Sequence, residues 1–139
     1  MAPTGSVGAF RFGGDGVKAV YIGIAGFAGA VSRYAVEGWV SNRFRGAFPW
    51  GTFVVNASGC FLLGFVFTVL TERFLPHPTL RAALTIGFIG AYTTFSTFAF
   101  ETLRLAEDGA KLIAVSNVIA SVGLGLVAVY AGMRLGRAV

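Results

Sequence analysis

Charged residues are scarce in this chain, and their scarcity excludes an ordinary soluble domain. Only 12% of the 139 residues are Asp, Glu, Lys or Arg, whereas 55% are hydrophobic. Soluble domains carry about 25% charged residues, which cover their water-facing surface. The mean hydropathy of +0.75 agrees with the deficit of charge. The composition therefore predicts an integral membrane protein.

Cysteine is nearly absent, and patterns typical of catalysis are missing. The single cysteine, Cys60, excludes an internal disulfide and a site built from several cysteines. The sequence has no nucleophile–base pair, metal-ligand cluster or nucleotide-binding loop, so we do not expect an enzyme. The net charge of +5 could suggest nucleic acid, but the cations stand singly or in pairs at the ends of apolar runs. That placement favours membrane headgroups over a nucleic-acid partner.

Long apolar runs predict four membrane-spanning helices in an all-α fold. Residues 46–71, 82–100 and 112–133 contain no charged side chain. About 20 helical residues cross a hydrocarbon core of roughly 30 Å, so each run is long enough to span it. A fourth apolar run begins at residue 19. We predict one domain over residues 17–139, with spans at about 17–40, 49–73, 80–104 and 111–135.

Residues 1–16 precede the first span and are rich in glycine, so we expect a flexible leader. A cleaved signal peptide is the alternative, because residues 19–32 could form its apolar region. The length of the leader, the presence of Asp15 and the lack of a small-x-small cleavage site argue against cleavage.

The cations are divided almost evenly between the two ends of a four-span bundle. One end would carry six of them, namely Arg11, Lys18, Arg73, Arg81, Arg134 and Arg137. The other end would carry five, namely Arg33, Arg43, Arg45, Arg104 and Lys111. Because an excess of Lys and Arg on one side sets orientation, this balance permits insertion both ways and an antiparallel dimer. A single orientation chosen by a weak local bias is equally compatible.

Hydroxyl groups are concentrated in GFIGAYTTFSTFAFET (87–102), within the third predicted span. On a helical wheel, the hydroxyls of Thr94 and Thr97 share one face with the carboxylate of Glu101. The phenyl rings of Phe98 and Phe95 lie beside that face. One threonine can bond the carbonyl four residues back, but a cluster of this size suggests a polar path.

Two glycines and one asparagine add to this picture. Gly87 and Gly90 precede the hydroxyl cluster, so we predict that the third helix breaks there. Broken backbone at membrane depth is tolerated only inside protein or beside a water-filled path. Asn56 is the polar outlier of the second span, where an unpaired amide costs several kcal/mol. It either bonds a neighbouring helix or lines a path.

These segments resemble a known family. GTFVVNASGCFLLGF (51–65) and GFIGAYTTFSTFAFET (87–102) resemble the signature segments of the Fluc (CrcB-type) fluoride channels. GFAGAVSRY (26–34) is similar to the first-helix motif of that family, and NVIASVGLGLVAVYAG (117–132) to the fourth. The order and spacing match over nearly the whole chain after residue 20.

The resemblance implies a fold, a function and a set of site residues. Two four-helix subunits would form an antiparallel, dual-topology homodimer with two fluoride pores at the interface. The homodimer would be integral to the plasma membrane, which in bacteria is the inner membrane. The path would involve the positions that match Asn56, Phe95, Phe98, Ser96, Thr97, Glu101, Ser121 and Asn117. The family often has tyrosine where this chain has Asn117, so the far end of the path departs from the pattern.

The resemblance also implies a vestibule and a structural metal ion. Arg33 matches the first-helix arginine of the family, and we expect it to pair with Glu37 at i,i+4. Main-chain carbonyls matching Gly90 and Thr93, from both subunits, would hold a sodium ion at the dimer centre.

Two other classes of function remain as alternatives. A small dual-topology multidrug/proton exporter needs an ionisable carboxylate deep within a span, whereas Glu37 and Glu101 lie near predicted helix ends. A non-transporting assembly protein would use its polar residues only to join helices, which leaves the Phe95 and Phe98 rings beside the donors unexplained.

Overall fold

The computed structural model describes residues 12–74 and 77–139, and these residues form helices with short connections. The α-helices are α1 (Phe12–Arg43), α2 (Trp50–Thr68), α3 (Pro78–Ala82), α4 (Gly90–Tyr92), α5 (Phe95–Glu107) and α6 (Lys111–Ala138). Two π-helical segments complete the set: Val69–Arg73 extends α2, and Ala83–Ile89 joins α3 to α4.

Four stretches are long and apolar enough to cross a membrane, which confirms the number predicted from the sequence. These four spans are Gly16–Arg43, Trp50–Glu72, Pro78–Glu107 and Lys111–Ala138. Of the expected leader, residues 1–11 lie outside the described part of the chain, and α1 begins at Phe12. Gly109, in the turn between the third and fourth spans, has φ +82°, a conformation that favours glycine.

Glycine contacts join the first span to the third and the second span to the fourth. A Cβ atom on Gly29 would collide with the Phe88 carbonyl. On the other pair of spans, a Cβ atom on Gly64 would collide with the Val129 carbonyl, and one on Gly132 with the Phe61 carbonyl. Small residues let membrane helices approach to backbone contact, so these two seams define how the four spans pack.

The third span is interrupted between α4 and α5. Thr93 has φ −82° and ψ 155°, and Thr94 has φ −146° and ψ 111°, so both residues are extended. Gly90 itself is helical, with φ −63° and ψ −36°, and Gly87 lies within the π-helical segment. The predicted break is therefore present, but it lies at two threonines beyond the glycines that were expected to form it.

Candidate functional site

Asn56 of α2 pairs with the main chain of the interruption. Its Oδ1 atom accepts a hydrogen bond from the Thr94 N–H at 2.7 Å. Its Nδ2 atom donates to the Thr94 carbonyl at 2.9 Å. One amide side chain thus satisfies both main-chain groups of an extended residue. The second Nδ2 hydrogen is not used by this pair.

A groove of about 310 Å³ lies beside this pairing. Several predicted site residues meet there, namely Asn56, Gly90, Thr93, Phe95, Phe98 and Ser121. The Phe95 and Phe98 rings are tilted by 47° with their centroids 5.7 Å apart. Phe95 is 79% exposed on this single chain, so its ring is available to the groove and to a neighbour.

Thr94 also organises the hydroxyl cluster at the start of α5. Its Oγ1 atom accepts from the Thr97 N–H at 3.2 Å, which caps the helix. The same hydroxyl donates to Thr97 Oγ1 at 2.9 Å and lies 3.4 Å from Ser96 Oγ. Ser96 and Thr97 therefore adjoin the groove through Thr94, although neither of them lines it.

Asn117 lies apart from the groove in a chain of hydrogen bonds between the fourth and third spans. Its side chain is 1% exposed. Nδ2 donates to Thr102 Oγ1 at 2.9 Å, and Oδ1 accepts from Ser121 Oγ at 3.2 Å. The Thr102 hydroxyl in turn donates to the Phe98 carbonyl at 2.7 Å. The chain of bonds ties Ser121, a groove residue, to the main chain of Phe98.

Glu101 lies on a different cavity, of about 490 Å³, between α5 and the connection from α1 to α2. Its carboxyl group is beside the Thr52 hydroxyl. Glu101 Oε2 and Thr52 Oγ1 are both shielded from solvent, and neither has a hydrogen-bond partner of normal geometry among the described residues. The sequence placed Glu101 on one face with Thr94, whereas in the structure Glu101 lines a second cavity that shares no lining residue with the groove.

The prediction of an Arg33–Glu37 ion pair is wrong. Among the described side chains, ion pairs join Arg104 to Glu107 at 4.0 Å and Arg137 to Glu72 at 3.4 Å, and none joins Arg33 to Glu37. Glu37 packs instead against the start of α2, where a Cβ atom on Gly51 would lie 2.8 Å from Glu37 Cγ. The absence of a side chain on Gly51 gives Glu37 that space, and Arg33 is left half-buried elsewhere on α1.

Sequence reasoning missed part of the groove wall. Gly59, Cys60 and Leu63 line it together with Asn56, and none of the three is among the site residues predicted from the sequence. Their spacing of i, i+3, i+4 and i+7 is that of one helix face. Extending the Asn56 face along α2 would have identified them.

Comparisons with known proteins give one consistent result. The chain matches a family described as CrcB-like protein, Camphor Resistance (CrcB), over residues 20–133. It is 45% identical over 121 residues to a fluoride-specific ion channel FluC of Solibacter usitatus, covering 87% of this chain and 99% of that one. The FluC proteins of Geotalea uraniireducens and Nitrosococcus oceani are 47% and 43% identical over 119 and 120 residues. Each match covers 86% of this chain and 96% of the relative.

Proposed function

This chain belongs to the CrcB-like family, and from that premise we propose that it is a fluoride-specific ion channel of the membrane. It is a transporter rather than an enzyme. One structural observation carries the proposal. The groove beside the interrupted third span is lined by neutral donors and phenyl rings, and no Asp, Glu, Lys or Arg is among the described residues that form it.

Neutral donors suit fluoride because the ion is small and strongly hydrated. Asn N–H and Ser or Thr O–H groups can replace its water without a fixed positive charge. Aromatic ring edges carry partial positive charge and can face an anion. Conduction requires binding that is favourable enough for entry and weak enough for exit. A groove of this kind lowers the cost of dehydration without trapping the ion, so flow is passive and follows the electrochemical gradient.

The proposed path runs through the groove and past the hydroxyl cluster. We assign the dehydrating contacts to Asn56, Phe95 and Phe98, because these side chains line one cavity. Ser96 and Thr97 would continue the path, because both lie within hydrogen-bond distance of Thr94, and Ser121 would contribute a further donor because it lines the groove. Glu101, which lines the second cavity, would lie at the far end of the path. Arg33 would act in the vestibule, as the resemblance implies.

Asn117 would support this path from behind rather than contact the ion. It is 1% exposed, and its amide is bonded on both sides. Holding Ser121 and Thr102 in place is a role that an asparagine can fill at a position where the family often has tyrosine.

An antiparallel homodimer would complete each path. Phe95 is largely exposed on the single chain, so a second subunit is needed to enclose its ring. The six-to-five division of cations permits both orientations. Labelling of single cysteines in a Cys60→Ala background tests this, with Ala47→Cys and His77→Cys at opposite ends of the bundle. An impermeant thiol reagent should label a fraction of each in intact cells. Labelling of only one position would exclude dual topology.

The residues at the interruption fit the sodium ion that the family implies. In a continuous helix the Gly90 and Thr93 carbonyls would accept from the Thr94 and Thr97 N–H groups. Here the Thr94 N–H donates to Asn56, and the Thr97 N–H donates to the Thr94 hydroxyl. Both carbonyls are thereby released, and oxygen atoms are the ligands that a hard cation prefers. Bound there, sodium would supply positive charge that joins the two subunits.

Fluoride efflux from liposomes containing the purified protein tests the function. With a voltage set by potassium and valinomycin, fluoride should leave while chloride stays inside. Comparable chloride release would disprove selectivity. Electrically silent drug efflux coupled to protons would instead support the exporter alternative, which the named relatives do not favour.

A further inference from the structure

The interruption of the third span occurs at two threonines, which do not by themselves require a break. Neither Thr93 nor Thr94 is glycine or proline, and both have ordinary extended dihedral angles. Gly90 is helical, and a Cβ atom there would meet only the Thr85 carbonyl, at 3.6 Å. The main chain of a membrane helix closes its own hydrogen bonds by default. The Thr94 hydroxyl caps α5 from within the third span, but the Thr94 N–H has lost the Gly90 carbonyl as its acceptor and takes another one from outside the span.

We propose that the Asn56 side chain holds the interruption open by taking both main-chain hydrogen bonds of Thr94. The Thr94 N–H lies 2.7 Å from Asn56 Oδ1, and the Thr94 carbonyl lies 2.9 Å from Asn56 Nδ2. These are the two partners that a neighbouring β-strand would provide to an extended residue. The Asn56 side chain thus provides the donor and the acceptor that one residue of such a strand would provide.

Two consequences follow from this pairing. With its N–H held by Asn56, Thr94 is free to serve as the N-cap of α5 through its hydroxyl. The orientation of the amide is also fixed, because a flipped amide would set Nδ2 against the Thr94 N–H and Oδ1 against its carbonyl. The remaining Nδ2 hydrogen is then presented in one defined direction. Asn56 is thus a positioning residue for the third span as well as part of the groove wall.

The inference goes beyond the proposed function, because it concerns the backbone and holds whichever ion passes. Its test is the backbone conformation at Thr93 and Thr94. The chain contains one Thr–Thr peptide bond, so protein labelled only at threonine with ¹³C and ¹⁵N gives one carbonyl-to-nitrogen correlation for it. Chemical shifts obtained from that correlation, in lipid or detergent, report whether the pair is extended or helical.

Asn56→Leu and Asn56→Ala should move both threonines to helical shifts, because the Thr94 N–H then returns to the Gly90 carbonyl. Asn56→Asp should retain the extended shifts, since a carboxyl oxygen still accepts the Thr94 N–H. Ser58→Ala is the matched control. Ser58 lies two residues further along α2 and bonds the Tyr92 hydroxyl at 2.9 Å, not the interruption.

The proposal is overturned if Asn56→Leu and Asn56→Ala keep the shifts of the unmodified protein, or if Ser58→Ala moves them equally. Asn56→Leu keeps the branched shape in an apolar setting, so it carries the test if the alanine variant does not fold. A wild-type protein that fails to conduct fluoride would refute the proposed function and leave this measurement unaffected.

Discussion

Replacing Phe95 or Phe98 by isoleucine is expected to reduce fluoride flux about tenfold or more while leaving the protein folded. The two rings contact one another at 5.7 Å, and an aromatic pair contributes about 0.5–1.5 kcal/mol beyond its buried area. Phe95 is 79% exposed on the single chain, so little burial within the subunit is lost with it. This cost is small beside a typical stability of about 5–15 kcal/mol. The packing lost in either variant therefore leaves almost every molecule folded.

The effect on flux is estimated from the contact between a ring edge and the ion. If one ring edge stabilises the ion as much as a weak hydrogen bond to a charged group does, about 1.5 kcal/mol, its loss lowers the rate about tenfold. Phe88→Ile is the matched control, because Phe88 stacks on Tyr92 with centroids 6.2 Å apart and lies outside the groove lining.

Fluoride efflux from proteoliposomes measures the rate, and gel filtration of the same samples measures the assembly. The groove substitutions should be slow and the control close to the unmodified protein. Normal conduction by both groove variants, or an equal loss in Phe88→Ile, would show that the ring edges do not face the ion.

Three further predictions follow from the described contacts. A methanethiosulfonate reagent should slow fluoride flux by reacting with Cys60, which lines the groove, and Cys60→Ala should be insensitive; an equal effect on that variant would place the reaction elsewhere. Gly132→Ala should lower the free energy of unfolding by about 1–3 kcal/mol through overpacking against Phe61. Gly123→Ala, with no atom within 4 Å of its Cβ, should change it by less than about 1 kcal/mol. Equal changes for the two variants in a denaturant titration would contradict the close packing of the second span on the fourth. Sodium should raise the thermal midpoint relative to a bulky organic cation, and an unchanged midpoint would argue against a cation at the released carbonyls.

The spans could be predicted from the sequence because the bilayer imposes a length and a composition on them. The uncharged run 112–133 falls inside α6, which extends to Ala138. Helix ends were predicted less accurately: the third span begins at Pro78 and ends at Glu107, two or three residues beyond the predicted limits. Arginine and glutamate at a helix end carry no signal that distinguishes continuation from termination.

The resemblance named candidate site residues, but it did not give the contacts between them. The resemblance brought Asn56, Phe95 and Phe98 together, and they do line one groove. The pairing of Asn56 with Thr94 joins residues 38 positions apart, and no local pattern encodes a contact at that separation. The Arg33–Glu37 pair failed for a related reason, because i,i+4 spacing makes a pair possible but the neighbouring helix at Gly51 decides where Glu37 goes.

The pairing of the first span with the third, and of the second with the fourth, constrains how the protein is made. Synthesis proceeds at about 5–20 residues per second, so the 38 residues between Asn56 and Thr94 take about 2–8 s. During that interval α2 resides in the membrane before the Asn56 amide can pair with the third span. The contact between Gly64 and Val129 forms later still, because Val129 is synthesised after the third span. The chain therefore cannot mature one hairpin at a time. A ribosome that stops before Lys111 leaves α2 without its principal neighbour, and we expect such truncated chains to be removed by membrane proteases instead of accumulating as a three-helix product.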